Sequence, residues 1–335
     1  MSHPEKILRI GRTRYLCVFL LIWIALFPSQ GLAFGFHAHR IINRMAVYTL
    51  PPEMIGLYKQ HIEFLAERSI DPDRRAHVVE GEAPRHYIDI DHFGESPFQS
   101  MPREWDQAKN KYSQDTLMQY GVLPWHINEM TKRLTAAFRR GDLDQILLHS
   151  AHLGHYIADA CTPLHTTLHY NGRTKAERGI HALWESRLPE LYAHDYDYLT
   201  GRAEYISSPL DKAWELIEQS HGHVKPLYHV YDSLHYVLPS DQLYVYEMRG
   251  QTTGQNFSRI FSSAFHQGLD HMVEQQMQQA VKYTGDFWYT AWVDAGQPNL
   301  ETHIRQSISE RLRRLINKQE SQWGDIKETT KRSSQ

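Results

Sequence analysis

The chain has 335 residues, 41% of them hydrophobic and 22% charged, which describes a folded globular protein of one large domain or two. Its formal net charge of −3 excludes a global basic footprint for duplex nucleic acid and leaves room only for a local basic groove. The 22 histidines are out of proportion and direct attention to metal or acid–base chemistry.

In chain order, Lys6, Arg9, Arg12 and Arg14 precede the apolar run LCVFLLIWIALF (16–27), and PSQGLA then places small Gly31 and Ala33 before a cut. This pattern predicts a secretory signal peptide over 1–33, cleaved after Ala33, and an exported protein, periplasmic or secreted. The run is short for a membrane span, so no stable span is expected after cleavage; an uncleaved anchor is the alternative. Cleavage removes four basic residues and one acidic residue, taking the net charge from −3 to −6. Cys17 leaves with the leader, so Cys161 has no partner for an internal disulfide.

Helical periodicity dominates from there. HRIINRMAVYTL (39–50) repeats apolar residues at three and four, and PPEMIGLYKQHIEFLAE (51–67) opens on proline. LPWHINEMTKRLTAAFRRG (123–141) closes on glycine, and the next run, 141–160, offers Asp142 as a cap. The stretches 177–192, 209–220 and 266–292 continue the pattern, and FWYTAW (287–292) reads as a buried aromatic helix. With no run of alternating strands and no internal repeat, the expected class is all-α. Loops are expected near 68–102 and 164–178. A single helical domain is expected over 34–297, followed by a tail, 298–335, that starts helical and frays from about residue 318.

The stretch HSAHLGHYIADACTPLHTTLH holds five histidines, His149, His152, His155, His165 and His169, with Asp159 among them. On a helix, His155 and Asp159 are four apart and share a face, with His152 a turn earlier on the same side. Pro163 ends the helix, so His165 leaves its axis and can serve a different ion. His181 and Glu185 repeat the four-residue spacing on a second helix. Imidazole with carboxylate in this ratio suits zinc, whereas the bland alternative is a chance cluster of surface or core histidines.

HYIADACTPLH (155–165) resembles the core motif shared by bacterial zinc-dependent phospholipases C and fungal single-strand-specific nucleases. EGEAPRHYIDIDHFG (80–94), DPDR (71–74), IHALWESRLPEL (180–191) and FGFHAHRIINRMAV (34–47) extend the likeness in the family's order. The resemblance implies an all-α domain with a cleft for three zinc ions. One ion would take Asp71, His86, His155 and Asp159, with Asp73 the rival to Asp71. Its close neighbour would take His39, bridging Asp159, and Phe34 through the α-amino nitrogen and carbonyl oxygen that signal cleavage exposes. The third would take His165, His181 and Glu185. Phe34 stands where the family usually has tryptophan, but backbone ligation needs no indole.

The implied chemistry is phosphodiester hydrolysis by a hydroxide held between the close zinc pair. Asp71 would orient or deprotonate the water, Asp159 would bridge, and the third zinc would assist the phosphoryl and leaving oxygens. Glu185 follows the phospholipase pattern, since the nucleases usually carry aspartate there, so the expected substrate is phospholipid, with single-stranded nucleic acid as the alternative. A non-enzymatic exported zinc-binding protein is the third reading. Cys161 is expected to be packed, His149 and His169 to be surface residues, and His152 to lie outside the ligand set. Asp89 and Asp91 are candidates to steady a ligand histidine through its other nitrogen, with solvated loop carboxylates as the alternative. Trp105, Trp125, Tyr87 and Tyr170 are the aromatics that could stack a base or cover a headgroup, although most of them are expected to be core.

Overall fold

A computed structural model describes residues 35–76, 78–249 and 252–333. The expected signal peptide 1–33, Phe34 and His77 lie outside the described residues. The first half is built from α1 (Phe36–Ala46), α2 (Pro52–Gln60), α3 (Ile62–Arg68), α4 (Asp71–Ala76), α5 (Pro97–Ser100), α6 (Trp105–Tyr112), α7 (Gln114–Tyr120), α8 (Leu123–Arg140) and α9 (Leu143–Ala160). After a turn of three-residue pitch at Pro163–Thr166 come α10 (Ile180–Ala182), a π-turn at Leu183–Arg187, α11 (Leu188–Tyr192), α12 (Pro209–Gly222) and α13 (Val224–Val237). A hairpin of β1 (Tyr244–Arg249) and β2 (Thr252–Phe257) precedes α14 (Arg259–Gly268), α15 (Met272–Asp294) and α16 (Glu310–Ser333).

The class is all-α, as expected, with one local departure. Tyr244 pairs with Phe257 and Arg249 with Thr252 in a small antiparallel ribbon that sequence reading passed over. Two strands of six residues each, YVYEMR and TTGQNF, without a clean alternation of apolar and polar side chains, are too brief to stand out against helical neighbours. The C-terminal helix spans Glu310–Ser333; it is rich in the good helix formers Glu, Arg, Lys and Gln, and Leu312 near its start is buried. Among the described residues no helix is long and apolar enough to cross a membrane.

Helix α9 is the centre of the molecule. Every residue from Ser150 to Ala160 is buried, and a helix closed on all sides has to lie inside others. It packs on α8, α15, α1 and α3. The α8–α9 turn follows from three residues. Gly141 takes a left-handed φ of 62°, and Asp142 then accepts the Gln145 amide at 3.2 Å, so α9 starts antiparallel to α8.

Glycine at 154 lets α1 come close: a Cβ there would stand 1.8 Å from Asn43 Oδ1. Asn43 is wholly buried and donates from Nδ2 to Ala151 O (2.9 Å) and Leu65 O (3.2 Å), tying α1, α3 and α9 together. Ser150 joins the far side, with its hydroxyl at Tyr58 Oη (2.8 Å) and its carbonyl accepting from Trp288 Nε1 (2.9 Å). FWYTAW lies in α15 with Phe287, Trp288 and Trp292 buried. Trp105, Trp125 and Trp214 pack edge to face at 5.3 and 5.2 Å; Trp125 lies in the apolar core and Trp105 packs against it, in keeping with the expectation that most of these aromatics are core.

Candidate metal centre

Four segments converge on the open end of α9. Helix α9 presents His155 and Asp159 on one face. Cys161 caps the helix, and the turn opened by Pro163 swings His165 away from the axis. Helix α1 supplies His39, α4 supplies Asp73, the turn after Ala83–Arg85 supplies His86, and the α10/π-turn unit supplies His181 and Glu185.

Their donor atoms form three groups, each within 4.8 Å: His39, His155 and Asp159; Asp73, His86 and His155; and His165, His181 and Glu185. The first two share His155 and meet at Asp159. Its Oδ1 lies 3.6 Å from His39 Nε2, while its Oδ2 lies 3.2 Å from His155 Nε2 and 3.0 Å from His86 Nδ1. One carboxylate thus turns its two oxygens toward two donor sets. Asp73 Oδ1 faces His86 Nδ1 (3.7 Å) and His155 Nε2 (3.6 Å). In the third group Glu185 reaches His165 Nε2 at 2.8 Å and His181 Nε2 at 2.7 Å. The His165 Nδ1–H donates to the His86 carbonyl, which orients the ring so that Nε2 faces the group.

Asp71 is absent from these groups, and Asp73 stands where it was expected. Two residues on a helix are about 200° apart, so only one of the pair can face the histidines. Asp71 turns away to Arg68 (3.6 Å), Arg74 (3.4 Å) and His152 (3.9 Å). The DPDR spacing alone could not say which aspartate looks inward.

Electrostatics follow from burial. Burial, with His155 close by, drops His39 to about 4, keeping its ring neutral. Burial opposes charge on Glu185, but His181 and His165 hold it at about 2. Burial also opposes charge on His165, and there Glu185 and Asp159 win, lifting it to about 10. Of the two central carboxyls, burial pushes Asp73 up, whereas the histidines around Asp159 hold it well below the usual range despite burial. Five imidazoles and three carboxylates, no thiolate and a buried Asp73 Oδ2 without a hydrogen-bond partner form a donor set that fits zinc. Cys161 is buried and outside every group.

A backing network escaped sequence reading. Glu82 is fully buried, accepts from Arg75 (3.0 Å), Arg85 (2.7 Å) and the Tyr156 hydroxyl, and lies 3.8 Å from His86 Nε2. Burial alone would raise its pKa, but Arg75 and these hydrogen bonds bring it to about 2. Glu82 and His86 repeat the four-residue spacing of the other pairs, a signal obscured by Pro84 between them. Asp91 grips the loop after His165 through Thr167 (2.6 Å) and Leu168 N (2.9 Å), while burial and the Asp91 charge lift Asp89 to about 7. Of the remaining histidines, His169 and His37 are exposed, His149 is half-buried and His152 is buried. Tyr170 is 53% exposed and sets its ring edge against His181 at 5.7 Å.

No family model and no curated protein matches the chain. The structure is similar to the alpha toxin from Clostridium absonum, with a TM-score of 0.48 and 13% identity over 79% of this chain and 67% of that one. It is likewise similar to the Clostridium perfringens alpha-toxin isolated from avian strain SWCP, with a TM-score of 0.45 and 14% identity over 79% and 66%. Likenesses of this strength fix neither an activity nor a substrate.

Proposed function

We propose that the processed chain is an exported, zinc-dependent phosphoric diester hydrolase of the phospholipase C type. The observation that carries this reading is Asp159, whose two oxygens face two donor sets a few ångströms apart, with a third set beside them. His86, His155, Asp159 and Asp73 would hold one ion, His39 and Asp159 with the main chain of Phe34 a second, and His165, His181 and Glu185 a third. Zinc bound there would supply Lewis acidity and bring the pKa of a water down toward neutrality.

The chain's own groups then have distinct parts. Asp73 takes the role expected of Asp71: its buried Oδ2, which has no hydrogen-bond partner, is available to orient the attacking water and accept its proton. Asp159, held anionic, keeps the two donor sets together. Glu82 and Arg75 fill the space behind His86 and keep water from that side. The half-buried rings of His165 and His181 mark the open side, where exposed Leu168 and Tyr170 form an amphipathic rim suited to a lipid phosphodiester.

Turnover on phosphatidylcholine vesicles, single-stranded DNA and a chromogenic phosphodiester, each with zinc loaded and then chelated, tests the reading. Zinc-dependent release of a phosphorylated headgroup is the expected result. Cleavage of DNA alone would replace phospholipid with nucleic acid. Absence of turnover on all three with zinc fully loaded would leave an exported zinc-binding protein.

A further inference from the structure

Five imidazoles enter the donor groups, and one of them is turned differently. His39, His155, His165 and His181 face the carboxylates of their groups with Nε2. His86 instead faces Asp159 Oδ2 (3.0 Å) and Asp73 Oδ1 (3.7 Å) with Nδ1. Its Nε2 is buried, has no hydrogen-bond partner, and lies 3.8 Å from Glu82 Oε1, an ion-pair distance. A neutral imidazole carries its proton on one nitrogen, and the nitrogen that binds a metal must be the bare one. Which nitrogen of His86 serves its group therefore depends on what stands at the other.

Glu82 is placed to decide this. A carboxylate only accepts hydrogen bonds, so beside Nε2 it favours a proton there and leaves Nδ1 bare. The side chain is wholly buried and held on both oxygens. Oε1 accepts from Arg75 Nη2 (3.0 Å) and from the Tyr156 hydroxyl, and Oε2 accepts from Arg85 Nη1 (2.7 Å). Two of these partners come from the segments that carry the other two donors. Arg75 lies two residues beyond Asp73 in α4, and Tyr156 lies one beyond His155 in α9. One carboxylate thus links all three segments that meet in the Asp73, His86 and His155 group.

We propose that Glu82 is a positioning residue for this group: it keeps the proton on His86 Nε2, so that Nδ1 is the nitrogen offered to an ion, and through Arg75 and Tyr156 it holds the segments of Asp73 and His155 in register. This rests on the zinc reading above. The test measures zinc affinities by competition with a chromophoric chelator. Long-range proton–nitrogen correlation spectra then report, ring by ring, which nitrogen carries the proton and which binds metal. In zinc-loaded wild type His86 is expected in one form, protonated at Nε2 and metal-bound at Nδ1. Glu82→Gln keeps the volume but adds a donor, so it lifts the restriction on Nε2. It should weaken the ion at Asp73, His86 and His155 by about tenfold, the scale of losing an outer support, and split His86 between two ring forms. The ion at His165, His181 and Glu185 should keep its wild-type affinity.

Tyr156→Phe removes one donor to Oε1 and leaves both arginines paired. It should weaken the same ion by a smaller factor with His86 still in one form, which keeps the inference testable if Glu82→Gln folds poorly. Wild-type affinity for that ion or an unsplit His86 in Glu82→Gln, wild-type affinity in Tyr156→Phe, or equal weakening of every ion in either variant overturns the positioning role alone. A wild-type His86 with no metal-bound nitrogen at saturating zinc overturns the zinc reading, and this role with it.

Discussion

At the scale of single residues, the decisive finding is which of two neighbouring aspartates looks inward. Asp73→Asn removes a donor from the group it forms with His86 and His155, so bound zinc and turnover should both fall, turnover by at least the roughly 10–100-fold that loss of an outer support costs. Asp71→Asn should leave zinc content intact and instead cost about 1–3 kcal/mol of stability, because Arg68 and Arg74 lose a charge partner. Elemental analysis and thermal unfolding of the two variants separate these outcomes; zinc lost from Asp71→Asn and retained in Asp73→Asn would reverse the assignment. Glu82 teaches the same lesson from the other direction. Its spacing to His86 was readable, but its value depends on Arg75 and Tyr156, which arrive from other segments.

At the scale of elements, the site is a matter of how closely α1 meets α9. Asn43 threads its amide past Gly154, and that contact sets His39 against His155, whose rings stack with centroids 4.0 Å apart. Gly154→Ala would force a Cβ to 1.8 Å from Asn43 Oδ1, so the helices must part. The expected cost is about 1–3 kcal/mol, typical of overpacking, with loss of the zinc shared by α1 and α9 and retention of the ion at His165, His181 and Glu185. Metal stoichiometry measures this directly, and uniform loss of all three ions would show that the contact supports the whole fold rather than one pair. The hairpin and the π-turn are the elements that sequence periodicity missed. The π-turn is five residues long and each strand of the hairpin six, too short for a period to declare itself.

At the scale of the whole molecule, pH and metal act on stability through buried histidines. Burial is the largest cause in each of His126, His149 and His152, with neighbouring positive groups adding to it, and they fall to about 3, 4 and 4. The sign is set by where protons bind. Below about pH 6.5 the unfolded chain takes up protons that these folded histidines refuse, so stability present above pH 6.5 is lost as pH falls toward 4. Each group contributes a slope of up to about 1.4 kcal/mol per pH unit. Metal-stripped protein should therefore unfold at steadily lower temperature from pH 7 to pH 5, and His149→Asn should flatten the slope. A slope unchanged in that variant would refute its share. Chelation at pH 7 should lower the unfolding temperature as well, since an ion bound only by the folded state stabilises it by mass action.

The residue pattern by itself determined the helical class, the break at Pro163 and the grouping of His155 with Asp159 and of His181 with Glu185. All of these are properties of neighbours within one or two turns, where helix geometry leaves little freedom. Only the tertiary structure decided that Asp73 rather than Asp71 joins the histidines and that Glu82 stands behind His86. Each is a contact between segments far apart in the chain, set by how closely helices can pack and which buried charges must find partners. Local periodicity carries no record of either constraint.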